Sequence, residues 1–206
     1  MARTKSSASW LARHVSDPFV KQAQKDGYRA RSAYKLIELN DKDQLIRPGM
    51  RILDLGSAPG GWSQVAGKLV GGRGRVLATD ILPMDALENV DFIQGDFTED
   101  VIVQQVLEWL GGAKFDLILS DMAPNTTGID SVDAAKSIYL LELALDTVRR
   151  SLKSHANFAA KMFQGSGSDQ YLKELRKHFA KVLIRKPAAS RKESREVYVM
   201  AKGFKG

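Results

Sequence analysis

Short apolar segments alternate along this chain with longer amphipathic segments, and this alternation restricts the possible folds most. The apolar segments are flanked by turn residues, so they are expected to be buried strands. The segments between them have the apolar spacing of helices. Seven strands are predicted, at residues 51–55, 75–80, 90–96, 115–121, 157–163, 182–186 and 196–202. Helices are predicted at residues 18–27, 33–44, 61–70, 98–112, 133–152 and 168–179.

This order of elements predicts an α/β fold with a mostly parallel seven-stranded sheet and helices on both faces. The last two predicted strands are joined by only the residues 187–195. A parallel crossover needs a dozen or more residues, so the last strand is expected to run antiparallel. In such Rossmann-like sheets, ligands bind beyond the carboxyl ends of the parallel strands.

Polar residues stand where three of the predicted helices begin. Asp17, Ser32 and Thr98 each have a side-chain oxygen that can accept a hydrogen bond from a free backbone N–H. We therefore expect these three residues to be helix N-caps. The length of 206 residues suits one domain, expected over residues 1–206, with residues 1–16 as a flexible basic arm.

The net charge of +7 is unevenly distributed. Residues 1–35 hold eight lysines and arginines against two acids, and residues 173–206 hold eleven against three. The segment between them has more acids than bases. Basic ends on an acidic centre favour binding to a polyanion, with nucleic-acid phosphates as the candidate. Arg29, Arg31, Lys192 and Arg195 are the predicted phosphate contacts.

Several classes of protein are excluded by what the sequence lacks. It has no cysteine, so disulfides, thiolate metal sites and cysteine nucleophiles are ruled out. No apolar stretch approaches the length of a membrane span, and the amino terminus lacks the apolar core of a secretory signal. No cluster of residues has metal-ligand spacing. We expect a cytoplasmic protein without a bound metal.

A glycine-rich loop, DLGSAPGGW over residues 54–62, follows the first predicted strand. A nucleotide-like cofactor binds at this position in a doubly wound sheet. Gly56, Gly60 and Gly61 let the backbone approach such a ligand closely. The spacing differs from G-x-G-x-x-G and from the Walker loop, so a pyrophosphate is poorly supported.

Two acids follow the next two strands and suggest which cofactor the loop holds. Asp80 ends the second strand, where its carboxylate can accept both hydroxyls of a ribose. Asp96 follows the third strand, within reach of an adenine amino group. Together they favour an adenosine without phosphates, and S-adenosylmethionine fits that description. The alternative is that both acids are turn residues and that the glycines only shape a loop.

Four more ionisable residues are predicted at the same rim. Asp121 and Lys161 follow parallel strands, and Glu196 begins the antiparallel last strand, so all three should converge. Lys35 precedes the first strand and is expected to join them. Tyr198 lies on the same strand face as Glu196 and is expected to line the substrate site.

Six segments in this order resemble the RrmJ/FtsJ family of ribosomal RNA 2′-O-methyltransferases: DLGSAPGGWSQ, DILPMD, QGDF, SDMAPN, KMFQG and SREVY. The resemblance runs from about residue 9 to residue 202. It implies a catalytic tetrad of Lys35, Asp121, Lys161 and Glu196. It also implies that Gly60, Trp62, Asp80, Asp96 and Asp121 bind the cofactor.

This resemblance implies methyl transfer from S-adenosylmethionine to a ribose 2′-hydroxyl, expected on a uridine of 23S RNA in the large ribosomal subunit. It implies that Lys161 accepts the proton of the ribose hydroxyl. A charged Lys161 that only orients the oxygen is an open alternative. Other open readings are a transfer RNA or messenger cap substrate, a small-molecule substrate, and an RNA-binding ribosome assembly factor without activity. The protein is expected to be a monomer.

Overall fold

The structure is a computed structural model, and it describes residues 17–125, 127–191 and 193–206. The predicted basic arm, residues 1–16, lies outside the described residues, as does the predicted phosphate contact Lys192.

The described residues form a seven-stranded sheet with helices on both faces, as predicted. The strands are β1 (Arg51–Leu55), β2 (Arg75–Asp80), β3 (Val90–Gln94), β4 (Phe115–Ser120), β5 (Leu152–Phe163), β6 (Phe179–Arg185) and β7 (Glu196–Phe204). The helices are α1 (Pro18–Lys25), α2 (Ala33–Asp43), α3 (Gly61–Val70), α4 (Asp100–Leu110), α5 (Asp130–Ser151) and α6 (Ser168–His178). None of the helices in the described residues combines the length and the apolar composition of a membrane span.

The strand order is β3-β2-β1-β4-β5-β7-β6, and β7 is antiparallel to both of its neighbours. The other neighbouring strands are parallel. The predicted antiparallel last strand is therefore confirmed. This order places the carboxyl ends of β1, β2, β4 and β5 on the same edge as the start of β7.

The sheet is covered by two apolar cores, one on each face. One core packs α4, α5 and α6 against the sheet, and the other packs α2 and α3 against the opposite face. Side chains alternate between these cores along β1, where Leu53 and Leu55 belong to the first core and Ile52 to the second. Burial on both faces explains why most positions of the central strands are apolar.

One of the three predicted helix caps is wrong, and a second lacks the expected side-chain hydrogen bond. Asp17 caps α1, because its carboxylate accepts a hydrogen bond from the backbone N–H of Phe19 at 3.0 Å. Ser32 is the N-cap residue of α2, as predicted, but its side chain makes no capping hydrogen bond. Thr98 is not the cap of α4, which begins at Asp100; its own N–H donates to Asp96 Oδ1 at 2.9 Å. That turn around Asp96 delays the start of the helix.

Strand β5 begins five residues earlier than the apolar pattern predicts. Helix α5 continues directly into it at Leu152, which is buried and pairs with Phe115 of β4. Between Leu152 and the predicted start, the side chains of residues 153–155 are exposed. β5 pairs with β4 at Leu152 and again from Asn157, with a register irregularity between these two points. The sequence pattern does not signal that the strand continues through the polar residues in between.

Candidate active site

The four ionisable residues predicted at the rim lie together at the edge where β4 and β5 end and β7 begins. Asp121 directly follows β4, and its N–H donates to the carbonyl of Leu55 at the end of β1. Lys161 is near the end of β5, and Glu196, the first residue of β7, pairs with Phe163 of β5. Sheet register alone thus brings these three residues to one place.

The side chains form a connected ion-pair network. Lys161 Nζ lies 3.1 Å from Asp121 Oδ1 and 3.7 Å from Glu196 Oε2. Lys35, from α2, places its Nζ 2.6 Å from the other oxygen of Glu196, Oε1. The Glu196 carboxylate therefore joins the two lysines, and the convergence predicted for all four residues is observed.

Tyr198 connects the two halves of this network. Lys35 Nζ donates to the Tyr198 hydroxyl at 3.2 Å, and that hydroxyl donates to Asp121 Oδ1 at 2.9 Å. The side chain of Tyr198 is fully buried, so it does not line a substrate site as the strand pattern predicted. It fixes Asp121 and Lys35 from below the rim. The Ser190 hydroxyl, which sequence reasoning missed, donates to Glu196 Oε1 at 2.9 Å.

The network sets the charges of its members. Burial alone lowers the pKa of Lys161, but the carboxylates of Asp121 and Glu196 outweigh burial, so its pKa is raised above the ordinary value. Burial would raise the pKa of Glu196, but Lys35 and Lys161 hold it below its usual range. Without a ligand, Lys161 is therefore a charged ammonium between two carboxylates at neutral pH.

The glycine loop between β1 and α3 is held by Asp80. Its Oδ2 accepts the N–H of Ala58 at 2.8 Å, and its Oδ1 accepts the N–H of Leu82 at 2.9 Å. Gly56 has a φ of +74°, and a Cβ there would lie 2.8 Å from the backbone of Met122. No larger residue fits between the loop and Met122, which follows Asp121.

A cavity of about 370 Å³ opens between this loop and the ends of β2, β3 and β4. Its lining includes the predicted cofactor residues Asp80, Asp96 and Asp121. Asp96 is exposed there, and its Oδ1 also accepts the N–H of Thr98. Apolar side chains complete the walls: Leu82, Phe97, Met122 and Leu140. The cavity adjoins the ion-pair network because Asp121 belongs to both.

The other two predicted cofactor residues, Gly60 and Trp62, lie at the start of α3. Gly60 precedes the helix with a φ of +106°. Trp62 is buried, its indole N–H donates to the carbonyl of Ser32 at 2.9 Å, and its ring packs 5.5 Å from that of Tyr198. Its side chain is thus part of the core beneath the network, so only its backbone is left to contact a ligand.

Asp54, the first residue of the glycine motif and part of β1, is a fully buried carboxyl group that sequence reasoning did not single out. Oδ2 accepts the Ser63 hydroxyl at 2.6 Å, and Oδ1 has no partner among the described residues. Burial raises the pKa of Asp54 to about 7; the Ser63 hydrogen bond opposes this, and the charges of Asp121 and Asp80 add to it. A carboxyl group that titrates near neutrality is therefore buried between β1 and α3.

Two of the predicted phosphate contacts, Arg29 and Arg31, connect distant segments of the fold. Arg29 donates to the carbonyls of Asp85 and Ala86, at 2.7 Å and 2.8 Å. Arg31 pairs with Asp17 and donates to the carbonyl of Ala189. Counting the charged residues of the sequence does not predict these contacts between distant segments. Arg195 is exposed beside the network.

No group of three or more histidine, aspartate or glutamate side chains in residues 17–125, 127–191 and 193–206 is arranged to hold a metal ion. The rim carries the ammonium and carboxylate groups of the ion-pair network beside a cavity.

Comparison with known proteins gives consistent matches. The family described as FtsJ-like methyltransferase matches residues 28–204. A protein of Stutzerimonas stutzeri named ribosomal RNA large subunit methyltransferase E is 66% identical over 206 residues, 100% of both chains. A protein of the same name from Cellvibrio japonicus is 62% identical, covering 100% of this chain and 98% of that one. A crystal structure of a ribosomal RNA methyltransferase from Plasmodium falciparum has a TM-score of 0.77 at 31% identity, covering 87% of this chain and 100% of that chain.

The matched region contains the whole site described above. It includes the four residues of the ion-pair network and the glycine loop with its cavity. The resemblance found in the sequence motifs is thereby confirmed, and the chain belongs to the FtsJ-like methyltransferase family.

Proposed function

We propose that this protein transfers a methyl group from S-adenosylmethionine to a ribose 2′-hydroxyl in the RNA of the large ribosomal subunit. The observation that carries the proposal is the position of Lys161, between Asp121 and Glu196 and next to the cavity. An amine held this way beside a cofactor cavity is suited to orienting a hydroxyl group and receiving its proton.

The residues around the cavity fit S-adenosylmethionine. Each Asp80 oxygen accepts one backbone N–H and retains a lone pair for a ribose hydroxyl. The exposed Asp96 can accept the adenine amino group, and the apolar walls suit the base. When bound, S-adenosylmethionine supplies a methyl group on a positively charged sulfonium, which the nearby Asp121 carboxylate favours.

Lys161 is the group that receives the hydroxyl proton in this proposal. It must be neutral to do so, but Asp121 and Glu196 raise its pKa, so only a small fraction is neutral at pH 7. A positive charge bound in the adjacent cavity opposes that rise. Lys35 and Tyr198 act as positioning residues, because they hold the carboxylates that face Lys161.

The RNA substrate is assigned from the relatives and from charge. The two relatives above are named for the large ribosomal subunit. The carboxyl-terminal segment from residue 173 holds eleven lysines and arginines against three acids, which favours binding to phosphates. A uridine target, a cytoplasmic location and a monomeric state are part of the same proposal.

The experiment uses S-adenosylmethionine labelled in its methyl group. Purified protein is incubated with large ribosomal subunits, free ribosomal RNA or transfer RNA, and the labelled nucleotide is then identified. We expect label on a ribose 2′-oxygen of large-subunit RNA, with Lys161→Ala as the inactive control. Label only in transfer RNA, or only on a base, contradicts the proposal. Binding to subunits with no label at all favours the assembly-factor reading.

A further inference from the structure

A second pocket, with a volume of about 420 Å³, is lined by Phe163 and Arg195, which are close in sequence to Lys161 and Glu196 of the ion-pair network. Its walls come from the segment after β4, the start of α5 and the connection between β5 and α6. The lining residues used below are Pro124, Asp133, Phe163, Gln164, Ser166 and Arg195. Its volume is in the range of small-ligand pockets.

This pocket is joined to the reaction centre through two residues. Phe163 lies two positions after Lys161 on β5, and Lys161 Nζ is 5.9 Å from the centre of its ring. Pro124 lines both this pocket and the cofactor cavity. When the 2′-hydroxyl of a ribose lies at Lys161, the base attached to that ribose can therefore reach this pocket.

Asp133 makes hydrogen bonds to the wall formed by the segment after β4. Asp133 Oδ1 accepts the backbone N–H and the hydroxyl of Thr127 at 2.7 Å and 2.8 Å, and Oδ2 accepts the N–H of Gly128 at 3.1 Å. On the opposite wall, the N–H of Gln164 donates to the carbonyl of Arg195 at 3.0 Å. Both carboxylate oxygens of Asp133 are thus used in hydrogen bonds within this wall.

The remaining surface has the chemistry of a base pocket. The half-buried ring of Phe163 and the side chain of Pro124 offer apolar faces on which an unstacked base can lie. The side-chain amide of Gln164 makes no hydrogen bond within the described residues, and it is exposed at the pocket. An amide presents one acceptor oxygen and an N–H donor side by side, which matches the edge of a nucleobase. The Ser166 hydroxyl and the positive Arg195 lie at the same pocket, where the RNA strand would enter.

We propose that this pocket holds the base of the nucleotide whose ribose is methylated, so that the target nucleotide is unstacked from its RNA and read there by Gln164. This inference rests on the proposed function and adds base recognition to it. It assigns Gln164 as a specificity residue that acts on RNA and not on the cofactor.

The test compares target bases. Once the methylated position has been mapped, large subunits are purified from cells expressing ribosomal RNA with each of the four bases at that position. Initial methylation rates are measured for the wild type, Gln164→Ala and the matched control Gln170→Ala. Gln170 is also an exposed glutamine, but it lies on α6 at a different pocket.

We expect the wild type and Gln170→Ala to prefer the natural base by about tenfold or more, the size of a lost amide–base contact. Gln164→Ala should lose most of this preference and raise KM for the natural subunit, with an unchanged Kd for S-adenosylmethionine. Equal rates on all four bases in the wild type overturn the pocket assignment. Preserved preference in Gln164→Ala overturns the role of Gln164.

The same experiment separates this inference from the proposed function. If subunits are labelled at one ribose whatever its base, the proposed function stands and the base pocket fails. If no subunit is labelled by the wild type, the proposed function fails and the base pocket fails with it.

Discussion

Lys161 and Asp121 form an ion pair of 3.1 Å between Nζ and Oδ1, although they come from different strands of the sheet. Their strands, β5 and β4, are parallel neighbours, and both residues lie at the carboxyl end. Because of this pair and the contact to Glu196, the resting protein holds Lys161 as an ammonium ion. A proton-accepting Lys161 therefore has to lose a proton before it can act.

The first prediction concerns the pH dependence of methyl transfer. The pKa of Lys161 is raised, so its neutral fraction is small near pH 7 and grows about tenfold with each pH unit. We expect kcat at saturating S-adenosylmethionine to rise steadily between about pH 6 and pH 9. Single-turnover rates across this range check it, with cofactor Kd measured at each pH as a control. A kcat that does not change with pH excludes the proton-accepting role.

The second prediction concerns the cofactor cavity. Asp80→Ala removes the proposed ribose acceptor, the hydrogen bond to Ala58 that holds the glycine loop, and the hydrogen bond to Leu82 in the segment after β2. S-adenosylmethionine binding should weaken by about 1–3 kcal/mol, as expected for lost hydrogen bonds to a charged group. Calorimetry measures this directly. Asp85→Ala is the matched control, because Asp85 is exposed in the segment after Asp80; equal affinity in the two variants would remove Asp80 from the cofactor site.

The third prediction concerns stability and the buried carboxyl group of Asp54. Its pKa is about 7 in the folded protein against an ordinary value of 3.8. Between these two values the folded state binds more protons than the unfolded state, so raising the pH lowers the free energy of unfolding. This loss begins above the ordinary value and is complete only above the folded value.

Asp54→Asn removes this titration, so the free energy of unfolding should fall less between about pH 4 and pH 7 than in the wild type. Urea unfolding at several pH values measures the slope. Asp41→Asn, at an exposed position on α2, is the control and should keep the wild-type slope. Identical slopes in the wild type and Asp54→Asn would show that Asp54 does not titrate in this window.

Local patterns were sufficient to predict part of the site. The ends of strands are marked by apolar runs followed by polar residues, and this places Asp80, Asp121 and Lys161 on one edge. The short connection before β7 adds Glu196 to that edge. The pairing of Lys35 with Glu196 depends on how α2 docks on the sheet, which no local pattern encodes.

The sequence could not predict how deeply each side chain of the site is buried. The alternation along β7 correctly places Tyr198 on the face of Glu196, but it does not show that Trp62 and α2 cover it completely. Arg29 and Arg31 look like phosphate contacts in a charge count. Their partners lie in distant segments, so their structural role appears only when the chain is folded.

The proposed chemistry depends above all on Lys161, and the rate at which its variants methylate large ribosomal subunits tests it. At saturating S-adenosylmethionine, we expect Lys161→Ala to lower kcat by about 100-fold or more, with little change in cofactor Kd. Lys161→Arg should be comparably impaired, because arginine keeps the charge and cannot give up its proton. An arginine variant with most of the activity would make Lys161 an orienting charge, and a folded Lys161→Ala protein with the wild-type rate would contradict the assignment of this residue to the reaction.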